Sequence, residues 1–290
     1  MKTLLYATDC SDNSVNALHF SAYLAKTLNT QCMAMHVFDF SALASTVSLA
    51  YARQERSRRV KEKAKLRRFC EDHLPADAAG IQWSYRVVEG RQAWECILVI
   101  AEELKADFIV VGSKGGNPLR TMLQASTASA LIDRAGCAVI VVPETDFYIP
   151  IRNIVYASAM EEADIQALQW LIPMAGQWNA NLEVVHIVTS REYKGEDQME
   201  WFKEMVLKSV HYKKLGFRLL YSDDVPACLK EYLEESQASL LVMMERKDKN
   251  AWESLWHPDV VIRMQNELRI PLLRFHKEYL KNSIAPGTTN

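Results

Sequence analysis

The chain reads as an α/β protein built from two tandem doubly wound (Rossmann-like) domains, each a five-stranded parallel sheet flanked by helices. Three observations predict this class: apolar, β-branched runs of strand length, helical periodicity between them, and a return of the whole pattern in the second half. The runs in the first half are Thr3–Thr8, Gln31–Phe38, Ile81–Val88, Asp107–Gly112 and Cys137–Val142. They are nearly continuous in apolar character, as in parallel strands covered on both faces.

The elements follow in order. After Thr8 the turn ATDCSDNS offers Asp9, Ser11, Asp12 and Asn13, of which Asp12 and Asn13 suit a helix N-cap. A helix is predicted over Asn13–Leu28, where Ala17, Leu18, Ser21, Leu24, Ala25 and Leu28 recur at three- to four-residue spacing. After the second strand, the glycine-free stretch Phe40–Tyr51 is expected to form a helix or lid near the ligand site. Arg53–Arg68 follows, with nine basic and two acidic side chains, and reads as a solvated helix whose Val60, Ala64 and Phe69 pack on the sheet. A glycine-bearing loop follows the fourth strand and leads into a helix over Ala125–Arg134.

The repeat divides the chain into residues 1–150 and 151–290, joined at Pro150. Lys2–Asp9 matches Arg152–Ala159 at an offset of 150, and the register continues through Asn29/Asn179 and His36/His186. Ala93–Ser113 matches Val225–Glu245 at an offset of 132, so 18 extra residues lie between about 38 and 83 of the first half.

Composition narrows the function classes. The 290 residues are 49% hydrophobic with a formal net charge of −2, which gives no global pull toward nucleic acid or an anionic membrane. The halves carry +1 and −3. The six cysteines include no C-x-x-C pair and read as reduced, mostly buried thiols. The N-terminus turns polar after Ala7 and no apolar run approaches a bilayer span, so a cytoplasmic protein is expected. Nucleophile elbow, dinucleotide and P-loop fingerprints are all missing, and His36 and His186 read as hydrogen-bonded strand-end residues, not metal ligands.

In doubly wound sheets ligands bind outside the carboxyl ends of the strands, which directs attention to the loop GSKGGNPLRTMLQAST after Val111. Gly112 and Gly115 let backbone N–H groups approach an anion, Ser126 and Thr127 can cap the next helix while donating to phosphate oxygens, and Lys114 and Arg120 supply charge. The same residues would also make an ordinary capped surface turn. The second half keeps the strands and loses these features. Ala159 stands for Asp9, Met244 for Gly112 and about Lys247 for Gly115, and the loop MERKDKNAWESLWHPD carries Asp248, Glu253 and Asp259. Trp252 and Trp256 there share one helical face and suit packing against the other half.

The run G-x-x-G-x₉-A-S, the strand end Thr8-Asp9, the pair His36-Val37 and the final strand CAVIVVP resemble the universal stress protein family, as two copies of which the first is specific and the second degenerate. The resemblance implies an ATP, ADP or AMP site with Asp9 on the nucleoside, Val37 on the adenine and Gly112, Gly115 and Ser126 on the phosphates. Ala7, Val111, Lys114, Arg120 and Thr127 complete the expected site, with Mg as a possible companion of ATP and no catalytic or metal-ligating residue. Ala125 stands where the binding motif has its third glycine, and its methyl weakens the site or shifts it toward AMP or ADP. The expected role is a regulatory stress-response protein whose second domain packs against the first, with a homodimer and an unidentified protein as further partners. The alternatives are a nucleotide-independent interaction protein and a weak ATPase at the Gly112–Ser126 loop.

Overall fold

A computed structural model of the chain describes residues 2–39, 48–78, 80–113, 127–144, 150–190, 195–245, 267, 269–276 and 279. It is an α/β structure whose strands pair in parallel and are flanked by helices. Contacts divide it into two compact units, Met1–Arg134 with Val141–Tyr148 and Ala135–Ile140 with Ile149–Asn290.

In the first 150 residues the strands are β1 (Thr3–Thr8), β2 (Gln31–Phe38), β3 (Trp83–Glu89), β4 (Phe108–Gly112) and β5 (Ala138–Val142), ordered β3-β2-β1-β4-β5. β1 lies between β2 and β4, with Thr8 opposite His36 and Tyr6 opposite Val110. The connection from β1 therefore goes to one side and the return from β3 to β4 crosses to the other, which makes the crevice beyond β1 and β4 the switch point of the sheet. The helices are α1 (Val15–Leu28), α2 (Ser48–His73), α3 (Ala93–Glu103) and α4 (Thr127–Arg134). Leu4, Leu5, Tyr6, Leu18, Leu24, Phe108 and Ile109 are fully buried and form the core of this unit. Each such aliphatic side chain contributes about 1.5–3 kcal/mol of transfer free energy.

α1 begins two residues later than its periodicity predicts, because Asp12–Ser14 form a single 3-10 turn. Neither Asp12 nor Asn13 caps it; Ser14 is the N-cap residue and makes no side-chain cap bond. α2 is confirmed as a long helix, but its orientation differs from expectation. Val60 is 68% exposed and Ala64 also faces solvent, while Glu62, Leu66, Phe69 and Cys70 are buried. Phe69 packs inward as expected, and with Leu66 and Cys70 it forms the buried apolar stripe, on whose face Glu62 also lies, one turn before Leu66. Glu62 meets His36 there, with His36 Nε2 3.8 Å from Glu62 Oε2. Of the expected lid, residues 40–47 lie outside the described residues, and Ser48–Tyr51 are the first turn of α2.

The second unit contains β6 (Asn153–Ala157), β7 (Asn181–Val188), β8 (Leu215–Tyr221), β9 (Leu240–Glu245) and β10 (Leu272–His276), ordered β10-β9-β6-β7-β8, with helices α5 (Glu162–Trp178), α6 (Gly195–Ser209) and α7 (Val225–Glu235). Local conformation repeats at the sequence offsets. Cys10 and Met160 both take φ of +59°, Asn29 and Asn179 are left-handed helix C-caps, and Lys105 and Gln237 share φ near +50°. Non-glycine residues at positive φ cost about 1 kcal/mol each, and here they fall at matching positions of the two units. Trp252 and Trp256 lie outside the described residues.

Candidate functional site

The carboxyl ends of β2, β1 and β4 stand side by side, and they bring together the described part of the expected site. Ala7 and Val111 are buried near the carboxyl ends of β1 and β4. Asp9, directly after β1, is exposed; Val37 near the end of β2 and Gly112 at the end of β4 are half-buried. Thr127 opens α4 and is half-buried. Lys114, Gly115, Arg120, Ala125 and Ser126 lie outside the described residues.

The turn after β1 is held by a compact polar frame. Tyr6 donates its hydroxyl hydrogen to the Ser14 carbonyl at 2.8 Å, the Thr8 and Ser14 hydroxyls are 2.7 Å apart, and the Cys10 N–H donates to Thr8 Oγ1 at 2.9 Å. His36 Nδ1 donates to the Thr8 carbonyl at 2.8 Å, since a carbonyl can only accept, and this fixes the ring with Nε2 toward Glu62. Arg58 Nε in turn sits 2.8 Å from Glu62 Oε1. These bonds fix the direction in which the chain leaves β1. Asp9 Oδ1 accepts from the Ser11 N–H at 3.0 Å and the Ser11 hydroxyl at 2.6 Å, so the carboxylate is oriented by its own turn while remaining open to solvent.

Two features mark the end of β4. Gly112 puts no Cβ at the strand end. Beside it Ser113 is 3% exposed and its N–H is tied to the Val142 carbonyl at 2.9 Å, but its hydroxyl has no hydrogen-bond partner among the described residues. A buried hydroxyl left without a partner costs about 1–3 kcal/mol.

On the other side of Val37, Gly90 follows β3 and its N–H bonds the Phe38 carbonyl at 3.1 Å. A Cβ at Gly90 would lie 2.2 Å from Cys96 Sγ and 3.8 Å from Val37 Cγ1, so the thiol of α3 occupies the space the glycine leaves free. The Cys10 thiol is pushed up to about 11, chiefly by burial and further by Asp9 and Glu62, against the lowering effect of Lys65. It is protonated and poorly nucleophilic at neutral pH.

The second unit has the same frame with other contents. Tyr156 donates to Asp164 Oδ1 at 2.5 Å, the Ser158 hydroxyl to Asp164 Oδ2 at 2.9 Å, the Glu161 N–H to the same oxygen at 3.0 Å, and the Met160 N–H to Ser158 Oγ at 2.9 Å. His186 Nδ1 repeats the bond of His36, to the Ser158 carbonyl at 2.8 Å. Asp164 is completely buried where the first unit has Ser14. At the three strand ends, Ala159 replaces the exposed carboxylate, and Ile187 and Met244 are 0% and 1% exposed where Val37 and Gly112 are half-open. The Ser14/Asp164 exchange was not singled out from sequence, although the offset of 150 pairs the two residues.

All six cysteines are free thiols, and among the described residues no group of three or more His, Cys, Asp and Glu could hold a metal ion. No described helix is long and apolar enough to cross a membrane.

The universal stress protein family model matches residues 1–143. A universal stress protein of Methanocaldococcus jannaschii is 30% identical over 147 residues, covering 49% of this chain and 81% of the relative. Among solved structures, a universal stress protein from Archaeoglobus fulgidus aligns with a TM-score of 0.65 at 16% identity, over 94% of this chain and 96% of that one. A functionally unknown protein from Pseudomonas aeruginosa aligns with a TM-score of 0.61 at 13% identity, over 97% of this chain and 95% of its own. At these identities the two structures speak for the fold alone.

Proposed function

The chain belongs to the universal stress protein family, and from that premise we propose that residues 1–150 bind one adenine nucleotide, ATP, ADP or AMP, at the carboxyl ends of β1, β2 and β4. Residues 151–290 are then a second copy of the same domain, without a nucleotide site, that serves as a packing partner. The output is regulatory: nucleotide occupancy reports to a protein partner.

One observation carries the reading. Three neighbouring strand ends are open in the first unit, with Asp9 exposed and Val37 and Gly112 half-exposed, while two of the matching positions in the second are sealed by Ile187 and Met244 and the third has lost its carboxylate to Ala159. The chemistry of the open set suits a nucleotide. Asp9 can accept from ribose hydroxyls, Val37 offers an apolar edge to the base, and Gly112 and the unsatisfied Ser113 hydroxyl stand where the phosphates would begin. Gly115, Lys114, Arg120, Ser126 and Thr127 would hold the phosphates, with Ala125 limiting the room.

Isothermal titration of the intact chain with ATP, ADP and AMP tests this. The expected result is one site per chain with micromolar affinity; no heat and no competition at millimolar nucleotide would overturn it.

A further inference from the structure

A cleft of about 370 Å³ lies in the second unit between α7 and the first halves of β6 and β7, a volume within the range of small-molecule sites. Its lining is polar where the first unit is apolar. The offsets of 150 and 132 put Glu183, Tyr232 and Ser236 in the places of Met33, Ile100 and Leu104. Tyr232, 7% exposed, donates its hydroxyl hydrogen to Glu183 Oε2, and Arg218 Nε lies 3.4 Å from Glu183 Oε1. The Tyr232 hydroxyl is pushed up to about 12, chiefly by burial and further by Glu183, against the lowering effect of Arg218. It therefore stays a donor to Glu183 at neutral pH.

The two units treat the end of the covering helix differently. In the first, Arg86 grips Glu103, the last residue of α3, with Nη1 2.9 Å from Oε1 and Nη2 2.8 Å from Oε2. Arg218 and Glu235 are the corresponding pair. There the guanidinium is drawn to Glu183 instead, and Glu235 has no ion pair among the described residues. The last turn of α7 carries Glu234 and Glu235 and no basic residue, although the negative end of a helix favours a cation. Asn181, in the same cleft, adds an acceptor. The Asn153 amide nitrogen donates to the Ser236 and Gln237 carbonyls at 3.3 and 3.2 Å, so the Asn153 oxygen is the group that accepts from Asn181 Nδ2 at 2.9 Å. Asn181 Oδ1 is left open.

We propose that this cleft binds a small organic cation, an alkyl guanidinium or alkyl ammonium, whose charged head stands beside Glu235 as the Arg86 guanidinium stands beside Glu103, with Asn181 Oδ1 as a second acceptor. The ligand supplies the charge that Arg218 withholds from the end of α7. Two carboxylates against one guanidinium in the lining disfavour an anion. Among the described residues no group of three or more His, Cys, Asp and Glu converges to hold a metal ion, which leaves an organic cation as the occupant.

Chemical-shift titration of the intact, isotope-labelled protein in phosphate buffer with butylguanidinium and with butylammonium tests the proposal. The side-chain amides of Asn153 and Asn181 and the Nε–H of Arg218 are the reporters. The expected result is saturable binding at one site per chain, in the millimolar range or tighter, with no response to butanol, which has the same stem and no charge. Glu235→Gln weakens binding about tenfold. The triple substitution Glu183→Met, Tyr232→Ile and Ser236→Leu, which copies the first unit, abolishes it, and Glu103→Gln leaves it unchanged. Circular dichroism melting verifies that each variant is folded; if the triple variant is not, Glu235→Gln alone decides. No saturable shift at about 10 mM of either cation, equal shifts with butanol, or a Glu235→Gln protein that binds as the wild type does overturns the proposal. The cleft and the nucleotide site belong to different units, so failure to bind ATP and failure to bind the cation are separate results.

Discussion

At the carboxyl end of β1 the first unit places Thr8, Asp9 and Ser14; at the corresponding end of β6 the second places Ser158, Ala159 and Asp164. Both close the same frame around a tyrosine hydroxyl and a histidine ring nitrogen. In the first the frame is completed by a neutral serine, and the carboxylate stands outside it in solvent. In the second the carboxylate has moved inside, where it accepts three hydrogen bonds and serves the fold. The same frame thus leaves one carboxylate in solvent and encloses the other, and the burial of Ile187 and Met244 accompanies the enclosed one.

The two frames differ most in energy at Asp164. Asp164→Ala leaves the Tyr156 and Ser158 hydroxyls without their buried acceptor and is expected to cost about 3 kcal/mol, whereas Ser14→Ala costs about 1 kcal/mol. Thermal melts should separate the two by several degrees, and equal effects would mean that the buried carboxylate holds its frame no more strongly than Ser14 holds the first. Next in size is Gly112→Met, which copies Met244 into the first unit. It should weaken ATP binding by about 100-fold, or about 2.7 kcal/mol, by isothermal titration. Asp9→Ala should cost about tenfold, the loss of one charge-assisted acceptor, while Ala159→Asp adds no site because its neighbours stay closed. The smallest effect concerns protons. The Cys10 thiol is raised from 9.0 to about 11, so its contribution to stability is complete below pH 9 and is lost as the pH rises toward 11. Urea midpoints should fall over that interval and less so in Cys10→Ser, with slow alkylation of Cys10 at neutral pH as the companion observation.

Much of the fold was legible because buried parallel strands leave continuous apolar runs and because the offsets of 150 and 132 carry the register from one half to the other. β3 shifted from Ile81–Val88 to Trp83–Glu89, a boundary difference that its half-exposed edge position allows. Asp9, Val37 and Gly112 were reached through a family motif joined to strand ends, and they lie at the ends of β1, β2 and β4. What the chain did not disclose depends on tertiary partners. Nothing in Arg53–Arg68 indicates that Glu62 turns inward, since a carboxylate is buried only where a group such as His36 awaits it. Likewise Ser14 and Asp164 look like ordinary turn residues until Tyr6 and Tyr156 are seen to reach them.

The claim that one unit binds and the other does not is tested most directly by hydrogen exchange of the intact chain with and without saturating ATP. Exchange should slow in peptides spanning Asp9–Ser14 and the end of β4, with Ala159–Asp164 and the end of β9 unchanged. Equal protection in both units, or none in the first, would contradict it.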